Sequence, residues 1–185
     1  MKNGYQIHNP ESGNNEIKAV LNKVQEHYRF VPNALAAMAE SPQSVLAYLA
    51  LDDLVHNNSL TDEQRHVAFL TISREYNCEY CVAAHTAFAQ MGNVDGGTVQ
   101  NLRESNPLDD PKLDALQKFV TAMVHTGCNV SDGEINEFLS HGYRRCHILD
   151  IITMIANKLI AIFANRVMGT DLDEMLQPAR WSRVA

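Results

Sequence analysis

The stretch REYNCEYCVAAH, residues 74–85, sets Cys78 and Cys81 three positions apart and His85 four positions beyond the second cysteine. On a helix, residues three, four and seven apart share a face, so two thiols and an imidazole converge on one side. A thiol at a helix N-terminus meets partial positive charge and free N–H groups, which favour the thiolate, the species that attacks. His85 is placed at i+4 from Cys81 to take the thiol proton and later return it to a leaving oxygen or sulfur. The chemistry this pattern points to is a dithiol oxidised to a disulfide through one attacking and one resolving sulfur. Cys81, the i+4 neighbour of His85, is the expected attacker and Cys78 the resolver. The reverse order stays open, because the first cysteine of such a pair is often the more exposed.

Two other readings compete for the pair. Structural zinc needs four ligands, and the local segment supplies three at most, leaving Cys128, Cys146 or His147 to complete the set. A pure core role fits poorly with a polar first turn that carries Glu79 between the sulfurs. Cys128, Cys146 and His147 are read as packing residues, and His8, His27, His56, His125 and His141 as solvated or capping groups.

These side chains need helices to place them. Apolar residues at helical spacing begin at Ile17, after a stretch without periodicity, so residues 1–15 are expected to form a flexible N-terminal arm and 16–185 a single domain. VPNALAAMAES and SVLAYLALDDLVHN read as two further helices. Thr61 with Gln64, and Ser131 with Glu134, have the spacing of capping boxes and open two more. Asn77 is the expected N-cap of a helix that starts at Cys78 and is broken by GNVDGG. Asp110 and Pro111 read as cap and first residue of another helix. The apolar residues from Ile148 to Phe163 step by three and four toward Gly169. No segment alternates over strand length, so the fold class is all-α, a bundle of roughly seven or eight helices.

Composition excludes several classes of function. The formal charge is −7, from 15 basic and 22 acidic residues, and no segment gathers the basic ones, which argues against a nucleic-acid partner. The window from Ile148 to Val167 contains Asp150, Asn157, Lys158, Asn165 and Arg166, costly groups in a bilayer, so a buried helix is expected there and no membrane association. Asn157, Asn165 and Arg166 are read as interhelical or intersubunit hydrogen-bonding groups. The same helix carries more apolar surface than one bundle face uses, which points to a homo-oligomer. The polar N-terminus has no secretion-signal pattern, so a cytoplasmic location is expected.

With these features in place, NCEYCVAAH resembles the active-site signature of the AhpD-like alkylhydroperoxidases of the carboxymuconolactone decarboxylase superfamily. SLTDEQRHVAFLTISREY and GYRRCHILDIITMIANKLIAIFANRV extend the likeness, the latter toward the family's peroxidase-related branch. The resemblance implies an AhpD-like helical bundle, assembly into trimers or hexamers, and no metal or organic cofactor. It also implies a peroxiredoxin-type oxidoreductase with a hydroperoxide or disulfide substrate, whose disulfide is restored by a protein dithiol or a lipoyl group. A lyase of the decarboxylase type and a non-catalytic redox-sensing or zinc-binding module are the alternatives. The family motif carries a glutamate twelve residues before the first cysteine and, in its best-known form, a histidine just before the second; here His66 and Tyr80 stand there. His66 is therefore expected in the proton relay behind His85, with Glu63, Glu75 and Tyr80 as secondary candidates.

Overall fold

The computed structural model describes residues 1–11 and 14–183; residues 12 and 13 of the arm, and 184 and 185 of the domain, lie outside the described residues. The order is α1 (Asn15–Tyr28), α2 (Asn33–Met38), α3 (Pro42–His56), α4 (Asp62–Glu75), α5 (Glu79–Met91), α6 (Gly96–Glu104), α7 (Pro111–Thr126), α8 (Asp132–Ser140) and α9 (Arg145–Met168), then a 3-10 turn, Glu174–Ala179. No strand occurs among the described residues, and the chain is an all-α bundle. The helix missing from the sequence reading is α6. Gly96 and Gly97 look like breakers, yet they follow Asp95, whose side chain accepts from the Thr98 amide 2.8 Å away and caps the helix.

Helix α4 is the central post. Its capping box is present, with the Gln64 amide donating to Thr61 Oγ1 and the Gln64 side chain accepting from the Thr61 amide. From Val67 to Arg74 every residue is buried, so it is enclosed on all sides, by α5, α6, α7 and α9. The hydroxyls inside this stretch are satisfied without leaving the helix: Thr71 donates to the Val67 carbonyl and Ser73 to the Phe69 carbonyl.

The long helix α9 crosses α2, α3, α4 and α5. It is long and apolar enough to cross a membrane by length and composition. In the bundle it buries Ile151, Met154, Ile155, Lys158, Ala161, Ile162, Asn165 and Met168, which step by three and four along one face. Gly169 ends it in the left-handed conformation that a glycine adopts without a Cβ penalty. Thus α9 brings a lysine and an asparagine from its buried face against α5, where the cysteines lie.

The N-terminal segment is held at several points rather than hanging free. The α-amino group pairs with Asp171 at 2.9 Å, the Lys2 amide donates to the Met168 carbonyl, and His8 meets Glu40. Met1 and Tyr5 also pack against the buried cluster formed by α1, α2, α3 and α9.

Candidate active site

The cysteine pair sits where α4 turns into α5. Asn77, expected as the N-cap, instead adopts a left-handed conformation with φ of 51°, and Cys78 is the cap. The Cys78 sulfur accepts from the Cys81 amide at 3.3 Å, the place an Asp or Ser oxygen usually takes. Cys81 follows in the first turn and His85 one turn later, and all three are at most 8% exposed. Both thiols are free.

Residues from α9 complete the site. Asn165 directs its amide nitrogen to the Cys81 sulfur at 3.6 Å, and Lys158 Nζ lies 2.7 Å from His85 Nε2. The sequence reading made Asn165 and Asn157 interhelical hydrogen-bonding groups, and both bond between helices, Asn165 to the sulfur itself and Asn157 to the Tyr48 carbonyl. With Lys158 donating to Nε2, the neutral imidazole carries its proton on Nδ1. The ring is stacked on Phe69 with centroids 4.7 Å apart, which fixes its plane.

Electrostatics separate the two sulfurs. Burial alone would raise the Cys81 thiol, but a hydrogen bond from Cys78, the charge of Lys158, the Asn165 amide and Arg166 outweigh it and bring Cys81 down to about 6. Cys78 is pushed up, first by the hydrogen bond with Cys81 and then by burial. The helix N-terminus by itself favours charge on Cys78, but such an effect is worth about 0.3–1 kcal/mol. A hydrogen bond to a charged group contributes about 1.5–3 kcal/mol, and a buried cation nearby adds more. The hydrogen bond from Cys78 is the largest of the lowering influences, Lys158, Asn165 and Arg166 of α9 add to it, and together they favour the thiolate on Cys81. His85 is held well below its ordinary value, first by burial and then by the Lys158 charge, so it stays neutral at physiological pH.

Two cavities meet at His85. The inner one, about 50 Å³, is lined by Cys81, His85, Lys158, Asn165 and Tyr80 among others. That is room for a few solvent-sized atoms. The outer one, about 360 Å³, has walls of Tyr28, Tyr48, Phe69, Phe88 and Met91 with His56, Arg65 and His66 among them. Tyr28, Tyr48, His85 and Phe88 line both. A larger cavity of about 420 Å³ between α7 and α8 has neither cysteine in its lining.

The residues expected in a proton relay are dispersed. His66 lies in the wall of the outer cavity against Gly92, where an added Cβ would stand 2.8 Å from its Nε2. Its buried Nδ1 has no hydrogen-bond partner, and the atom bonded to His85 Nε2 belongs to Lys158. Burial holds the His66 ring below its ordinary value. Glu75 turns away toward Arg74, Thr121 and His125, and Glu63 is exposed; neither lines either cavity. Cys128 and Cys146, expected to pack inside, are exposed. Among the described residues no three His, Cys, Asp or Glu side chains are grouped to hold a metal ion.

Tyr80 faces the inner cavity but is tied to the C-terminal segment. Its hydroxyl donates to Asp173 and accepts from the Ala34 amide, and the buried Asp173 carboxylate also accepts from the Asn33 amide at 2.9 Å. Removing one donor from a buried carboxylate costs about 1–3 kcal/mol. Tyr80→Phe is expected to lower stability by that amount in denaturant unfolding while leaving the pH midpoint of Cys81 alkylation in place. A relay role would shift that midpoint.

Neither family models nor curated proteins match this sequence. Solved structures do match in fold. An uncharacterised peroxidase-related protein from Ralstonia eutropha JMP134 with an alkylhydroperoxidase AhpD core aligns over 97% of both chains, at 18% identity and a TM-score of 0.81. A second peroxidase-related protein, from Silicibacter sp. TM1040, aligns over 94% of this chain and 92% of its own, at 19% identity and a TM-score of 0.75. The debrominase Bmp8, as a cysteine-to-alanine variant in complex with 2,3,4-tribromopyrrole, covers 89% of each chain at 16% identity and a TM-score of 0.75. The chain thus shares the all-α fold of these AhpD-core and debrominase structures.

Proposed function

We propose that the protein is a dithiol oxidoreductase that reduces hydroperoxides, with Cys81 attacking and Cys78 resolving. The observation that supports it most is the asymmetry of the pair. Cys81 is drawn to about 6 while Cys78 stays protonated and bonded to it, as an attacking thiolate beside a resolving thiol requires. The thiolate attacks the terminal oxygen of ROOH, the O–O bond breaks, and RO⁻ leaves and takes a proton. The Cys78 sulfur then attacks the sulfenic acid at Cys81, and hydroxide departs with the thiol proton as water. An external dithiol, of a protein or a lipoyl group, reduces the disulfide. Unpaired buried cysteines fit a reducing compartment, and we place the protein in the cytoplasm. The reading is tested by following tert-butyl hydroperoxide in the presence of dihydrolipoamide. Catalytic consumption supports it; consumption no faster than the uncatalysed reaction refutes it.

A second reading rests on the outer cavity, whose aromatic walls suit a planar ring, and on the fold shared with a debrominase. The same pair could give two electrons to a halogenated aromatic, releasing halide and closing the disulfide. Bromide release from a brominated pyrrole would favour it over peroxide reduction.

We also propose that the protein is a closed homo-oligomer. Leu149, Ile152, Ala156, Ile160, Phe163 and Val167 form one stripe at steps of three and four along the outward face of α9; all but Ile160, which is partly buried, are exposed. The stripe is unbroken by charge, and the occupant we assign is the same stripe of a second copy. Light scattering at micromolar concentration is expected to give a multiple of the 20.7 kDa chain mass. A monomer would contradict it.

A further inference from the structure

We propose that Lys158 is the counter-ion of the Cys81 thiolate and the acid that protonates the oxygen leaving the hydroperoxide. The inference rests on the dithiol reading above and adds a residue that the resemblance does not supply.

Lys158 is 2% exposed and makes no ion pair with a carboxylate among the described residues. A cation at that depth is costly unless an anion or strong acceptors answer it. Its one hydrogen-bond partner, His85, is a neutral imidazole whose Nε2 takes a single N–H. Phe69 lies beneath the amine, 5.8 Å from Nζ to the ring centroid. The carboxylates of the outer cavity are committed elsewhere, Asp52 to His27, Tyr28 and His56, and Asp62 to Arg65. Tyr28, Tyr48 and Tyr80, the hydroxyl groups around the inner cavity, stay protonated and carry no charge; Tyr80 is engaged with Asp173. The group left to balance the ammonium is the Cys81 sulfur, which lines the same cavity.

This pairing makes a closed proton cycle. When the thiolate attacks and RO⁻ departs, the sulfur loses its negative charge and the ammonium loses its counter-ion in the same step. Lys158 then gives a proton to RO⁻, forming ROH and a neutral amine. When a dithiol later reduces the disulfide, the Cys81 thiol returns its proton to that amine. His85 holds the amine over the cavity through Nε2 and takes no proton itself. The role expected of His85 as general base passes to Lys158, and His85 becomes the residue that positions it.

The test uses the full chain with Lys158→Met and Lys158→Arg. Alkylation of Cys81 by iodoacetamide is followed against pH, and reduction rates, divided by the measured thiolate fraction, are compared for tert-butyl hydroperoxide and peracetic acid. The first oxidant expels a basic alkoxide that needs a proton; the second expels a carboxylate that does not. In Lys158→Met the alkylation midpoint should rise by at least about one pH unit. Its corrected rate should fall about a hundredfold with tert-butyl hydroperoxide and by less than about tenfold with peracetic acid. Lys158→Arg, which keeps the charge, should keep the midpoint. The melting temperature of Lys158→Met should fall, since the variant removes one partner of a buried pair and leaves His85 Nε2 without its donor. An unmoved midpoint, or equal losses with both oxidants, would overturn the proposal. Should Lys158→Met fail to fold, Lys158→Arg decides it alone: a shifted midpoint overturns the counter-ion. If peracetic acid does not join Cys78 to Cys81 in the unaltered protein, the dithiol reading itself has failed, whatever Lys158 does.

Discussion

Cys81→Ser is expected to abolish hydroperoxide reduction, with turnover down by at least about a thousandfold. A serine hydroxyl at this position has no accessible anion near neutral pH, so the neighbours that lower the Cys81 thiol have nothing to ionise. Cys78→Ser should fail differently. Its Cys81 still has Lys158 and Asn165 beside it, so one equivalent of sulfenic acid forms and then persists, because no sulfur stands at the N-cap to resolve it. Peroxide consumption in single-turnover and steady-state assays separates the two variants. One equivalent consumed by Cys78→Ser and none by Cys81→Ser fits the assignment, and the opposite pattern exchanges the roles.

The second large effect is on pH. Iodoacetamide should modify Cys81 with a midpoint near 6, far below an ordinary thiol near 8.5. Alkylation at pH 7 should already be near its plateau, whereas a thiol that ionises at the ordinary value would still be gaining about tenfold per pH unit. The same displacement bears on stability. The folded value lies below the unfolded one, so ionisation of Cys81 adds stability that is complete above the unfolded value and is lost as pH falls through about 6. Cys78, raised in the fold, acts in the opposite sense and subtracts stability once pH exceeds the unfolded thiol value. Between about pH 6 and 8.5 the reduced protein should thus gain stability with rising pH. His66 and His85, both lowered, add a gain at lower pH in either redox form, so the oxidised protein is the control. Denaturant midpoints of the two forms across this range should differ in slope; parallel curves would argue against a charged Cys81.

Much of the architecture is legible because it is local. The capping boxes at Thr61 and Ser131, the stop at Gly169 and the shared face of Cys78, Cys81 and His85 depend on neighbours within about two turns. Part of what decides the chemistry is not local. Lys158 and Asn165 stand 73 and 84 residues from their partners His85 and Cys81, and only the crossing of α9 over α5 joins them. A signal existed in the sequence, since a lone lysine on the face of an apolar helix that otherwise carries Ile151, Met154 and Ile162 must be answered by something. At the glutamate position of the family motif stands His66, but the hydrogen bond to His85 Nε2 comes from Lys158. His66 follows the sequence register of that glutamate but faces the outer cavity, and its rim contact is with Gly92. The N-cap was misassigned for a related reason. Asn is a common cap, but here it takes the left-handed turn between α4 and α5, and the sulfur of Cys78 accepts the amide bond in its stead.

The central claim is that Cys78 and Cys81 form one redox unit with Cys81 as its reactive member. It is tested most directly by adding one equivalent of hydroperoxide to the reduced protein and mapping its peptides without reduction. Loss of two thiols and a single intramolecular link between Cys78 and Cys81 is expected, with Cys128 and Cys146 still free. A link that joins Cys81 to either exposed cysteine, or four thiols still titratable after the peroxide has been consumed, would contradict it.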